Sequence, residues 1–238
     1  MRKLFILWVA LLAASPSFSQ DKNKKQSIVN RPADHFLLQL SNDWWQGAPD
    51  SIKNKRKGLS RGANVYLMLN KPFRGNPRMS VAIGVGVGTS SIYFDKLDVD
   101  VAGTSRKLAF TNLDTLEHFK KYKVVTSYLE IPLELRYTSH PENPNKSFKA
   151  AIGIKGGTLL KSQTKGKKLQ NANGNEINDF TQKNSSKRYF NTTRLAATLR
   201  VGYGLFSVFG SYNLTSLFKD GVAADMKPVQ VGITISGL

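Results

Sequence analysis

The stretch YKVVTSYLEIPLELRY, residues 122–137, decides the fold. Successive side chains of an extended strand point to opposite faces. From residue 128 onward, Leu129, Ile131, Leu133, Leu135 and Tyr137 therefore share one face, and Tyr128, Glu130, Pro132, Glu134 and Arg136 share the other. A face carrying two glutamates and an arginine cannot be sealed in an apolar core without partners, because an unpaired buried charge is strongly disfavoured. The reading that satisfies both faces is a strand whose apolar side meets lipid and whose charged side lines a small closed barrel.

The same alternation recurs through the chain. Residues 35–45 set Phe36, Leu38, Leu40 and Trp44 against Gln39, Ser41 and Asp43. Residues 62–70 set Val65, Leu67 and Leu69 against Asn64, Tyr66 and Asn70, and residues 79–94 set Val81, Ile83, Val85 and Val87 against Ala82, Gly84, Gly86 and Gly88. Residues 148–161 oppose Ile152, Ile154 and Leu160 to Lys149, Lys155 and Gly157. Residues 189–201 oppose Leu195, Leu199 and Val201 to Arg194 and Arg200. Residues 205–217 and 228–238 complete the set, with Gly202-Tyr203-Gly204 read as the tight turn before the first of these.

These segments predict an all-β fold: an eight-stranded antiparallel transmembrane β-barrel. A tilted strand of about 9–11 residues crosses a bilayer, and every segment reaches that length or nearly so. The connections alternate between long and short, which predicts long extracellular loops on one side and short periplasmic turns on the other. Residues 95–123 and 162–188 are read as long loops, the former holding a short hairpin over 97–109.

The amino terminus, MRKLFILWVALLAASPSFSQ, has a basic start at Arg2 and Lys3, an apolar run to Ala14, and small residues around Phe18. It predicts a secretory signal peptide over 1–19, too short in its apolar run to anchor as a transmembrane helix. Residues 20–34 form a flexible polar lead-in, and 35–238 the barrel domain. The formal net charge of +19 is a pattern seen in nucleic-acid-binding proteins, but an export signal argues against such a partner. The chain has no cysteine, which excludes disulfides and a lipidated amino-terminal cysteine.

Alternation by itself does not say which face is inside, and a soluble lipocalin-like periplasmic barrel would turn its apolar face inward around a hydrophobic ligand. Aromatic residues favour the membrane form. Trp44, Trp45, Tyr93, Phe94, Tyr122, Tyr189, Phe190 and Phe218 fall near the loop ends of strands. Phe36, Phe73, Tyr137, Phe148, Tyr203 and Phe206 fall near the turn ends. Two such groups match the interfacial girdles of outer-membrane barrels. An eight-stranded barrel is narrow enough to be filled by side chains, so a plugged barrel is expected rather than a general porin. The glycine row at 84, 86 and 88 would leave room for Tyr66, Tyr128 and the long charged residues.

The segments HFKKYKVVTSYLEIPLELRY (118–137), IGVGVGTSSIYFDK (83–96), YNLTSLFKDG and VQVGITISGL resemble the PorT-like outer-membrane β-barrel proteins of Bacteroidota, over most of 35–238. The resemblance implies an outer-membrane location in a Gram-negative bacterium and a barrel fold. PorT itself is implicated in type IX protein secretion, whereas the wider group is mostly of unassigned function, so the resemblance carries the location and fold.

No catalytic, cofactor or metal site is expected. Glu130 and Glu134 stand roughly 13 Å apart along one strand face, too far for a glycosidase carboxylate pair. With Arg136, Lys155, Arg194 and Arg200 they are read instead as an interior charge network. GVGVG at 84–88 lies within a strand and lacks phosphate-loop spacing. His35, His118 and His140 are scattered, and His118 with Asp95, Asp98 or Asp114 is the raw material for a loop hydrolase. The basic loop residues Lys53, Lys55, Arg56, Lys57, Lys165, Lys167 and Lys168 are candidates for contact with lipopolysaccharide through Coulomb attraction. The expected function is that of a non-enzymatic barrel with a structural or partner-binding role at the envelope. Its expected partners are outer-membrane lipid, lipopolysaccharide, and envelope or secretion proteins, with the barrel itself monomeric. A small transport channel is the alternative within the membrane reading.

Overall fold

The computed structural model describes residues 36–236, so the signal peptide over 1–19, the lead-in over 20–34, His35, and residues 237–238 of the last strand lie outside the described residues. Eight strands form the barrel wall: β1 (Phe36–Gln46), β2 (Arg61–Pro72), β3 (Met79–Phe94), β6 (His118–Thr138), β7 (Phe148–Gln170), β9 (Thr193–Tyr203), β10 (Phe206–Asn213) and β11 (Lys227–Ser236). Three shorter strands, β4 (Leu97–Val99), β5 (Phe110–Asn112) and β8 (Glu176–Ser185), and one short helix, α1 (Asp50–Lys53), belong to the connections.

Each wall strand pairs antiparallel with its neighbours in the order β6-β3-β2-β1-β11-β10-β9-β7, and β6 pairs with β7 to close the ring. Closure matters in lipid, where an open edge would leave backbone polar groups with neither water nor partner. Registers run along the full pairs: Phe36 faces Leu67 across β1 and β2, Met79 faces Tyr137 across β3 and β6, and Phe148 faces Tyr203 across β7 and β9.

The two faces settle the orientation of the alternation. Leu67, Leu69, Ile83, Ile131, Ile152, Leu199, Val208 and Ile233 all point outward and exposed, with Leu69 the most so at 69 %. Gln39, Asn64, Glu130, Glu134, Lys155, Arg200, Gln230 and Thr234 are buried in the bore. This overturns the lipocalin-like alternative, which needs the apolar residues inside.

Several boundaries differ from the sequence reading. The sixth wall strand starts at Thr193, not 189, and runs to Tyr203, so the tight turn is Gly204-Leu205, with Gly204 at φ 60°, where glycine has no Cβ to clash. Much of 162–188 is strand rather than loop: β7 continues to Gln170 and β8 pairs back on its upper half, Lys165 opposite Lys183. β6 likewise begins at His118. These strands, 21 residues in β6 and 23 in β7, are about twice what a bilayer needs, so β6, β7 and β8 stand above the wall as a three-stranded sheet.

The aromatic girdle is also redrawn. At the turn end Phe73, Phe148, Tyr203 and Phe206 are exposed as a girdle requires. At the loop end Trp45, Phe94 and Tyr122, on the inward face of β1, β3 and β6, and Tyr189, Phe190 and Phe218, in the connections, are buried instead. They join residues from the long connections, among them Ile52, Val101, Leu108 and Met226, in one apolar plug over the mouth. Trp45 lies 5.5 Å from Phe94 and 5.7 Å from Phe218, ring centre to ring centre. The physical reason is position: Trp45, Phe94 and Tyr122 continue the inward face of the wall above the polar bore, where there is no lipid to meet, and the connections fold their own aromatics onto them.

Candidate functional site: the filled bore and the basic rim

The bore is built by the inward parity of each strand. From β6 come Glu130, Glu134 and Arg136, from β7 Lys155, from β9 Arg194 and Arg200, from β2 Asn64 and Tyr66, and from β1 and β11 Gln39, Asp43 and Gln230. Glycine on β3 makes this possible. A Cβ at Gly86 would collide with the Val65 carbonyl and the Tyr66 ring, and one at Gly88 would sit 2.6 Å from Glu130 Oε2. The expected role of the glycine row holds for Tyr66 and Glu130; Tyr128 instead stacks under Arg194, whose guanidinium carbon lies 4.7 Å from its ring centre.

The six charged residues expected to form one network divide into two clusters. In the first, Glu130 accepts from the Tyr66 hydroxyl, with Arg194 Nη2 at 3.0 Å and Lys155 Nζ at 3.5 Å. In the second, Glu134 accepts from Arg136 Nε at 2.7 Å and from Arg200 Nη2 at 3.1 Å. The split follows the period of the strand: four residues put the two glutamates at different heights.

A polar chain that sequence reasoning missed extends the first cluster across the bore. Lys155 donates to Gln230 Oε1 at 3.2 Å, Gln230 donates to Asp43 Oδ2 at 3.0 Å, Asn64 donates to Gln39 Oε1 at 3.2 Å, and Gln39 donates to Thr234 Oγ1 at 3.2 Å. The Lys155–Gln230 bond joins walls that are not neighbours in the ring, so the bore is bridged from side to side. The signal was in the sequence, since Asp43, Asn64 and Gln230 share the parity of the charged residues.

Above this lies the apolar plug, whose loops are tied by polar bonds. The Tyr189 hydroxyl lies 2.6 and 3.0 Å from the carbonyls of Gly103 and Ser105, and Asn191 Nδ2 donates to those of Ser216 and Phe218 at 2.9 and 2.8 Å.

Two of the three carboxylates considered with His118 are engaged by lysines instead. Asp95 pairs with Lys57 at 3.0 Å, Asp114 pairs with Lys55, and His118 Nδ1 lies 3.2 Å from the Leu116 carbonyl. His118 and Asp98 line one crevice at the mouth together with Thr111, and no side-chain hydrogen bond among the described residues joins the three. Among the described residues no three histidines, cysteines or carboxylates converge as metal ligands.

The seven basic residues expected to contact lipopolysaccharide fall in two places. Those of the first loop are largely engaged: Lys55 and Lys57 in the pairs above, and Arg56 donating to the Asp43 carbonyl at 3.2 Å. On the β7–β8 hairpin, Lys168 pairs with Glu176 at 3.1 Å and Asp179 at 3.6 Å, while Lys165 and Lys167 have no carboxylate within ion-pair distance among the described residues. The Lys168 and Lys120 hydrogen bonds hold the Glu176 carboxyl below its usual range. A hydrogen bond from Lys55 does the same for Asp114.

A closed eight-stranded wall, apolar outside and charge-paired within, defines an outer-membrane-type β-barrel protein. The chain belongs to the outer membrane protein beta-barrel domain family, whose model matches residues 29–219, and this membership points to an outer-membrane location. The match ends before β11, which closes the ring between β1 and β10. No curated protein matches the chain.

Proposed function

We propose that this barrel is a non-enzymatic component of the cell envelope with a structural or partner-binding role, in the outer membrane of a Gram-negative bacterium of the Bacteroidota type. Export by the signal peptide over 1–19 fits that setting. The resemblance to PorT-like barrels supports a link with protein secretion. The observation that carries the reading is the blocked bore. The Lys155–Gln230 bridge crosses it, and the apolar plug covers its mouth, so the chemistry left to solvent and to partners is on the rim.

Planar-bilayer recording on the refolded mature chain tests it. Silence at either polarity is expected, and stepwise conductance would replace it with the transport-channel reading. Deletion of the gene is then expected to alter envelope integrity or secretion without loss of any hydrolytic activity.

A further inference from the structure

The outward face of the β6–β7–β8 sheet is a lattice of lysines. In neighbouring strands, residues directly opposite share a face. Lys123 of β6 is opposite Lys165 of β7, and Lys165 is opposite Lys183 of β8. One step higher, Lys121 is opposite Lys167. Lower down, just above the bulge, Lys161 is opposite Ser127. None of these lysines has a carboxylate within ion-pair distance among the described residues. The hairpin's own acids, Glu176 and Asp179, are taken by Lys120 and Lys168. Lys123 reaches neutral groups, the Ser91 hydroxyl at 3.4 Å and the face of the Tyr93 ring at 5.2 Å.

Like charges set directly opposite each other destabilise a sheet, so a row of three is a strain that a bound anion would remove. The position of the row says where that anion lies. The bulge between Ser127 and Tyr128 leaves Leu160 and Lys161 consecutively outward, so lipid-facing leucine passes straight into lysine. Lys123 stands six residues above Leu129 on the same face, which is roughly 20 Å along the strand and roughly 15 Å in height at the usual tilt. The lysines therefore face sideways, over the membrane surface, at the level of headgroups.

We infer that this lysine face binds the phosphate groups of an outer-leaflet glycolipid, with Lys123, Lys165 and Lys183 as its central row. The inference rests on the outer-membrane reading and deepens it. A lipid headgroup is favoured over an acidic protein because the row continues the lipid-facing side of the same strands.

The test uses the full mature chain folded in dodecyl maltoside, with lipid binding read by native mass spectrometry. The probes are diphosphoryl lipid A and the same lipid with its phosphates removed. Wild type is expected to prefer the phosphorylated form at least tenfold, roughly the worth of one to two lysines beside an anionic surface. The K123Q/K165Q/K183Q variant is expected to lose most of that affinity, by up to roughly 100-fold at low salt, on the same scale. A K146Q control at the turn end should bind as wild type does. Equal binding by wild type and the triple variant, or no preference for phosphate, overturns the inference. So does full displacement by millimolar inorganic phosphate, which would mark a free-anion site. So does capture of polyglutamate without lipid A, which would mark an acidic protein partner. Retained SDS resistance in the cold shows that the variant is folded. A wild-type chain that never acquires such resistance would instead sink the membrane reading itself.

Discussion

Replacing Glu130 by glutamine keeps the volume of the side chain and removes one charge from the centre of the bore. Glu130 is fully buried, and its carboxylate faces Arg194 at 3.0 Å and Lys155 at 3.5 Å. Without it, two cations are left in a space that holds one remaining nearby acid, Asp43, reached only through Gln230. Stranding a buried charge in this way costs about 3–5 kcal/mol, more than the intact pair contributes over an apolar replacement. The assay is urea unfolding of the chain in lipid vesicles, read by the fluorescence of Trp44 and Trp45 at the mouth. With a urea dependence of roughly 2 kcal/mol per molar, the midpoint should fall by roughly 2 M. A second variant separates the causes. E130M/K155M/R194M removes the acid and both cations together, and should lose less stability than E130Q alone, because no charge is stranded. A midpoint within roughly 0.5 M of wild type for E130Q would refute the reasoning, since that corresponds to only about 1 kcal/mol. It would mean that water reaches the network and that the bore is not closed as described.

The wall and the loops give three further expectations. Leu133→Arg places a cation on the lipid face and should cost about 2–4 kcal/mol in the same assay, where an aqueous surface would tolerate it. Gly86→Ala should lower the yield of SDS-resistant barrel, at a cost of about 1–3 kcal/mol, because its Cβ meets the Val65 carbonyl, which cannot move without the strand; Gly210→Ala, with open space around its Cβ, should fold normally. The Glu176 carboxyl has its folded pKa depressed by Lys168 and Lys120, so its contribution is present above the unfolded value near 4.3 and is lost as pH falls through the lower folded value. Amide protection factors over 176–185, corrected for intrinsic exchange, should accordingly fall as pH drops below that unfolded value and stay flat between about pH 6 and 8.

The wall is legible in the sequence because its period is rigid. Every residue from Leu129 to Tyr137 lies on the face its parity assigns, and so do Val81, Ile83 and Val85 against Gly84 and Gly86. Parity also carries the bore charges, but it cannot say which cation each glutamate takes. That depends on relative strand heights, set by registers such as Pro132 opposite Lys155 and Gly157 opposite Arg194. The mouth departs from its sequence reading for a related reason. Trp45 and Phe94 have inward parity, yet their closeness to strand ends suggests a girdle. A girdle needs lipid on the outward face, and only Trp44 and Tyr93 among those residues keep outward parity. The hairpin of β8 is hidden by composition. A run rich in Lys, Asn, Gln and Ser gives no alternating apolar face, and an outer strand of a three-stranded extension above the membrane needs none, since water reaches both faces of β8.

The outer lysines make the opposite prediction from the inner charges. Within the bore, each glutamate holds two cations, so removing charge should destabilise. On the rim, Lys165 stands between Lys123 and Lys183 with no carboxylate partner among the described residues, so removing charge should stabilise. Lys165→Gln relieves two directly opposed like-charge pairs, worth roughly 0.2–1 kcal/mol each. In vesicles of phosphatidylcholine alone, the urea midpoint of K165Q should therefore rise slightly, by a few tenths molar, and the rise should shrink in about 1 M salt as screening shortens to roughly 3 Å. In vesicles containing diphosphoryl lipid A the order should reverse, because the wild-type row then holds phosphate and the variant gives up one of its contacts. A K165Q midpoint that is unchanged or lower in phosphatidylcholine would mean that the three ammonium groups already splay apart in solvent. The row would then carry no strain for an anion to relieve, and any lipid preference would come from long-range attraction by the whole basic rim.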